Sequence, residues 1–207
     1  MAGWRIAALV LALAGYAVLS HRLMADMPER AWTVAALFGP LLAAVAFGGW
    51  KRRHWPTLAG CALGVVAVGL VWLRGGVDVK RLYVLQHAAL HALMAWTFAI
   101  TLRPGATPLI TAVAARVHEH FTPEMQAYTR ALTATWAGYF AGMIVVSLLI
   151  YAFAPWPWWS LYCNVITPLA AVALFVADFA WRRWRHPDFE PVTMARAIRA
   201  YRAATAR

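Results

Sequence analysis

Long apolar runs alternate with short charged breaks along this chain. Six runs stand out, over residues 4–20, 31–49, 57–73, 82–101, 133–154 and 159–181. Each approaches the roughly 20 mostly apolar residues that a helix needs to cross a bilayer. Charged breaks lie at His21 to Arg30, Lys51-Arg52-Arg53-His54, Arg74 to Arg81 and Arg103 to Arg130, and Arg182 opens the last charged stretch. The fifth break, Pro155-Trp156-Pro157-Trp158-Trp159, has no charge. It reads as a connection at the outer membrane surface, where tryptophan rings are stable. The pattern predicts an all-α integral membrane protein. A six-helix transmembrane bundle would occupy 1–181 and a basic cytoplasmic tail 182–207. Met1 to Ser20 reads as an uncleaved first span, because no small-x-small cleavage site follows it.

Two amphipathic helices are predicted outside the spans. Leu109, Ile110, Val113, Val117 and Phe121 form an apolar stripe at helical spacing, with Thr111, His118 and Glu119 on the other side. Such a helix lies in the membrane interface. Thr122-Pro123-Glu124 then reads as a helix start, with an N-cap hydroxyl, proline at the first position and a carboxylate in the first turn. That helix should run on into the fifth span. In the tail, Thr193 caps a helix with Met194, Ile198 and Tyr201 on one face and Arg196, Arg199 and Arg202 on the other. A basic face of this kind is drawn to anionic lipid, and it suits an acidic cytoplasmic partner.

Composition sharpens the picture. Of 207 residues, 63% are hydrophobic and 13% charged, against about a quarter charged in soluble domains. A chain this short cannot bury so much apolar surface in water, and it has no room for a second sizeable domain. The net charge of +11 does not point to nucleic acid, because the basic residues sit in the breaks and the tail. Their distribution sets an orientation instead. With the N-terminus inside, inner segments hold Arg5, Lys51, Arg52, Arg53, Arg103, Arg116, Arg130 and the arginine-rich tail. Outer loops hold Arg22, Arg30, Arg74, Lys80 and Arg81. The prediction is a bacterial inner-membrane protein with both ends cytoplasmic.

Candidate chemistry centres on Gln86, His87 and His91 in the fourth run, extended by Tyr83 and Met94. Spacing of i, i+4 puts both histidines on one helix face. His91 falls about 14 Å along from Leu82, near mid-bilayer. Polar groups at that depth face a protein interior or a cavity. The pair lacks the third and fourth ligands of a metal site, so a buried hydrogen-bonded pair is preferred, a proton or substrate pathway comes next, and no metal or other cofactor is expected. Asp178 and Arg182, at i+4, are expected to form a snorkelling ion pair. Asn164 is expected to hydrogen-bond between helices. His118-Glu119-His120 reads as a solvated polar face. His21-x-x-x-x-Asp26 has the spacing of a lipid acyltransferase motif, but it is two common residues and lies on the outer side. No serine nucleophile elbow, phosphate loop or CxxC occurs. Cys61 and Cys163 fall toward opposite faces, which disfavours a disulfide. Gly60-x-x-x-Gly64 and Gly138-x-x-x-Gly142 suit close helix packing, first within the chain and second in a homodimer. Pro40 and Pro168 predict kinks.

Several stretches carry a family resemblance. They are Leu102-Arg103-Pro104-Gly105, Pro108-Leu109-Ile110-Thr111, Tyr128-Thr129-Arg130, Trp159-Ser160-Leu161 through Asn164-Val165-Ile166, and Arg199-Ala200-Tyr201-Arg202. Over roughly residues 80–205 the chain resembles small bacterial inner-membrane proteins. These are encoded among fatty-acid-synthase-like genes for aryl polyene or xanthomonadin-type pigments. Some carry the label ketosynthase, but this chain lacks the soluble fold and Cys-His-His site of that enzyme. The resemblance supplies no active-site residues. It implies a membrane component of a polyene or lipid acyl pathway. The expected role is non-catalytic: bringing acidic acyl-carrier machinery or other biosynthetic proteins to the bilayer through the basic cytoplasmic face. The alternatives are a small transporter or flippase for a lipid-linked product, lined by Gln86, His87 and His91, and a metal-dependent membrane enzyme at His87 and His91.

Overall fold

The computed structural model describes residues 3–29, 31–73, 78–118 and 120–189, and all regular structure among them is helical. In order these are α1 (Gly3–Asp26), α2 (Ala31–Lys51), α3 (Trp55–Leu73), α4 (Val79–Ile100), α5 (Leu109–Val117), α6 (Pro123–Phe153), α7 (Trp156–Leu161), a π-helical turn (Tyr162–Ile166) and α8 (Thr167–Arg185). By length and composition, Thr33–Lys51, Pro123–Phe153 and Trp156–Arg185 can each cross a membrane, and Trp55–Val66 is a shorter apolar helix. α8 runs past Trp181, the expected end of the sixth span, to Arg185.

α6 starts as its sequence dictates. The Met125 N–H donates to the Thr122 hydroxyl at 3.2 Å, Pro123 occupies the first turn, and Glu124 lies where the helix dipole favours a carboxylate. The Pro-Trp segment is different from the expected loop. Only Pro155 stays outside, as N-cap, and Trp156–Leu161 is already helical. Pro157 is tolerated because a first-turn N–H has no helical partner to lose. Just before Pro168, where a kink was expected, the helix makes a π turn. The Thr167 N–H reaches back five residues to the Tyr162 carbonyl, and Pro168 follows with no N–H to give.

The chain divides into two compact units. The first comprises Met1–His87 and Ser147–Leu169. Its core is an aromatic run with ring centroids at 5.6 Å for Phe38–Tyr83, 6.3 Å for Tyr83–Trp156 and 4.9 Å for Trp156–Trp159. Met24, Val34, Val79 and Val84 pack around these rings. Trp159 is fully buried and its indole N–H donates to Ser147 Oγ at 3.0 Å. Trp156 donates to the Met24 carbonyl and the Tyr83 hydroxyl to the Pro28 carbonyl, so the polar edges of Tyr83, Trp156 and Trp159 are all paired.

The second unit comprises Ala88–Val146 and Ala170–Arg207, described here to residue 189. Trp136 packs against Phe175 with centroids 4.6 Å apart and the rings tilted by 52°, and Phe98, Phe140 and His91 extend that cluster. In both units small hydroxyl residues are buried, among them Ser20, Thr33, Thr133, Ser147 and Ser160, while Leu63, Leu73 and Phe153 are largely exposed. Water solvation selects the opposite pattern; lipid favours small and hydroxyl residues at helix contacts and large apolar ones outside.

Close packing within the chain was expected at the two glycine motifs, but among the described residues nothing approaches them. A Cβ added at Gly60, Gly64, Gly138 or Gly142 would meet nothing within 4 Å. Their faces point outward, and Cys61 and Cys163 are both free thiols.

Candidate functional site

α5 is built on threonines. Its N-cap, Pro108, has no polar side chain, so the first N–H groups of the helix need outside acceptors. Leu109 N–H donates to Thr101 Oγ1 at 3.0 Å and Ile110 N–H to Thr133 Oγ1 at 3.3 Å. Thr111 and Thr129 share a 2.8 Å hydrogen bond, and Arg130 reaches the Leu102 carbonyl at 2.9 Å. Thr111, expected on the outward polar side, is thus buried, while Val113 of the apolar stripe is exposed. The polar side faces protein because its hydroxyls meet partners there. α5 ends at Val117, before Phe121.

Beside this scaffold lies a cavity of about 120 Å³, lined by Ile110, His118, Tyr128, Asp178, Arg182 and Phe189 among others. That volume matches about four waters or one small polar group. The Tyr128 hydroxyl donates to Asp178 Oδ1 in a short hydrogen bond. The expected Asp178–Arg182 ion pair is therefore replaced. Among the described residues Arg182 has no carboxylate within ion-pair distance, and its guanidinium lies 5.9 Å from the Phe179 ring. The rings of Tyr128, His186 and Phe189 pack together, and His186 Nδ1 lies 2.8 Å from Glu124 Oε1. His118 Nδ1 is 2.9 Å from the Ala114 carbonyl, which only accepts, so Nδ1 carries the proton. Glu119 lies outside the described residues, so the His118-Glu119-His120 expectation concerns a group the structure describes in part.

The polar residues expected at bilayer depth find separate surroundings. His87 is buried in the first unit, with Trp159 and Tyr162 rings at 6.0 and 5.8 Å. The Thr167 hydroxyl donates to the Tyr162 carbonyl and so accepts from His87 Nε2 at 3.4 Å, which ties the histidine to the π turn. His91 is half-buried in the second unit against Phe140, and Met94 is exposed. Gln86 is half-buried. Asn164 donates to the Ser160 carbonyl on its own helix and to Met24 Sδ of α1 at 3.4 Å, an interhelical contact as expected. Arg196, Arg199 and Arg202 lie outside the described residues.

His21 has a partner that the sequence does not suggest. Its Nδ1 is 3.0 Å from Ser160 Oγ, and that hydroxyl donates to the His21 carbonyl. Ser160 is fully buried, and both bonds clamp α1 to α7; Asp26 is exposed and takes no part. This is a lock between helices. Tyr128 and the threonines of α5 and α6 are likewise invisible in spacing alone, though Tyr128-Thr129-Arg130 stood in the resemblance. Among the described residues no three His, Cys, Asp or Glu side chains gather as metal ligands. No protein-family model, curated protein or solved structure matches this chain.

Proposed function

We propose that the chain is a six-span bacterial inner-membrane protein with both ends cytoplasmic. In this reading it is a non-catalytic component of a polyene or lipid acyl pathway, and its basic inner face recruits acidic acyl-carrier machinery. One observation supports it most. Leu102–Thr111 and Tyr128–Arg130, two separate stretches of the family resemblance, are tied by hydrogen bonds into one local structure. Arg103, Arg116, Arg130, Arg183 and Arg185 are exposed within the same unit, against few carboxylates. A surface so charged attracts acidic partners and speeds their encounter. Of the histidines a transport path would need to expose, His87 is instead enclosed by Trp159 and Tyr162. A non-catalytic role needs no more than this.

The test is affinity capture of the full chain from native membranes. An acidic acyl carrier protein should co-purify, and replacing Arg196, Arg199 and Arg202 with Glu should abolish its capture. Undiminished capture by the triple variant would remove the docking idea.

A further inference from the structure

α2 and α3 meet at Trp50-Lys51-Arg52-Arg53-His54-Trp55. The turn is a Schellman closure: Arg53 N–H donates to the Trp50 carbonyl at 3.0 Å and His54 N–H to the Gly49 carbonyl at 2.9 Å. Arg53 has φ 50°, and among the described residues it is the only non-glycine with positive φ. Glycine is favoured there because a Cβ strains the left-handed conformation. Strain retained against an easy remedy points to a use for the side chain.

Two grooves flank this turn. One, of about 530 Å³, is lined by Ala44, Val45, Gly48, Gly49, Arg52 and His54 with Thr57. The other, of about 420 Å³, is lined by Trp50, Arg53, Trp55 and Leu58. Trp50 and Trp55 are 71% and 72% exposed. Lys51 folds back over the Phe47 ring, 4.9 Å from its centroid. Among the described residues none of Lys51, Arg52 and Arg53 has a carboxylate within ion-pair distance. At Gly49 the two helices come close enough that an added Cβ would lie 3.0 Å from the Thr57 side chain. One turn position away, Gly48 opens onto the groove with nothing within 4 Å.

We propose that this turn binds one anionic glycerophospholipid, with its phosphate between Arg52 and Arg53 and one acyl chain along Ala44, Val45 and Gly48. The cations supply charge complementarity at the end of an apolar helix of membrane-crossing length. The tryptophans belong at headgroup depth, and the groove has the volume of a ligand site. The inference rests on the membrane reading above and is independent of carrier recruitment.

The test uses the full chain purified in maltoside detergent. Native mass spectrometry counts retained lipid on adding dioleoylphosphatidylglycerol, dioleoylphosphatidylcholine or inorganic phosphate. The glycerol lipid should bind at least about tenfold more tightly than the choline lipid, since each basic residue near an anionic surface is worth roughly fivefold. Gly48→Leu enters the groove from a position where a Cβ meets nothing within 4 Å, and should weaken phosphatidylglycerol about tenfold. Arg52→Gln with Arg53→Gly should weaken it about twentyfold, while Arg53→Gly alone raises the melting temperature. Arg22→Gln should change nothing. Equal retention of the two lipids, indifference to these variants, or full competition by inorganic phosphate would each overturn the proposal. If the chain proves monomeric in water without detergent, the membrane reading itself fails. Loss of carrier capture with lipid retention intact leaves this site standing.

Discussion

Trp159→Ala will lower the stability of the folded chain by about 3–5 kcal/mol, the range for removing a large buried aromatic. Three independent contacts converge on this one side chain. It is 0% exposed, it stacks on Trp156 at 4.9 Å, and its indole N–H satisfies Ser147 Oγ inside the core. Removing it leaves a void and strands the buried Ser147 hydroxyl. It also takes the edge contact from His87, which anchors the π turn. Trp159→Phe keeps much of the stack but loses the hydrogen bond, and should cost about 1–3 kcal/mol. Trp158 is 60% exposed, so Trp158→Ala should cost under about 1 kcal/mol. Thermal unfolding in detergent, followed by circular dichroism, separates the three. Equal losses for Trp159→Ala and Trp158→Ala would mean that the core is not organised around Trp159.

Tyr128→Phe should cost about 1.5–3 kcal/mol, the value of a hydrogen bond to a charged group. The hydroxyl is the donor that Asp178 receives from α6, and its loss leaves a half-buried carboxylate under-solvated beside an apolar ring cluster. The companion change discriminates. In the Tyr128→Phe background, Asp178→Asn removes the stranded charge and should restore part of the loss. A double-mutant cycle should therefore show strong coupling between the two positions. If instead the important partner of Asp178 were Arg182, the two substitutions would add independently.

Helix existence was the most legible part of the sequence. Apolar periodicity and the Thr122-Pro123-Glu124 start announced α6, because caps and first-turn prolines act locally. Choice of partner was much less legible. Asp178 has a correctly spaced arginine on its own helix, yet it takes a tyrosine fifty residues away in sequence. Spacing within one helix says nothing about what another helix brings alongside. The glycine motifs illustrate the same point: their spacing permits a close approach, but among the described residues a Cβ at Gly60 or Gly138 would meet nothing within 4 Å. Thr111 looked like a solvated position because polarity is normally read against water. It is buried because Thr129 supplies its hydrogen bond. At Pro168 the sequence suggested a kink; the π turn that stands before it is tied to His87 and so depended on tertiary contacts.

The proposed function depends most on how the chain is threaded through the bilayer. Paired reporter fusions after Arg207, one fluorescent only in the cytoplasm and one enzymatically active only outside it, test that directly. The proposed threading calls for a fluorescent cytoplasmic reporter, a silent external one, and a fusion that stays with the membrane after alkaline carbonate washing. An active external reporter, or a fusion released by the wash, would contradict it.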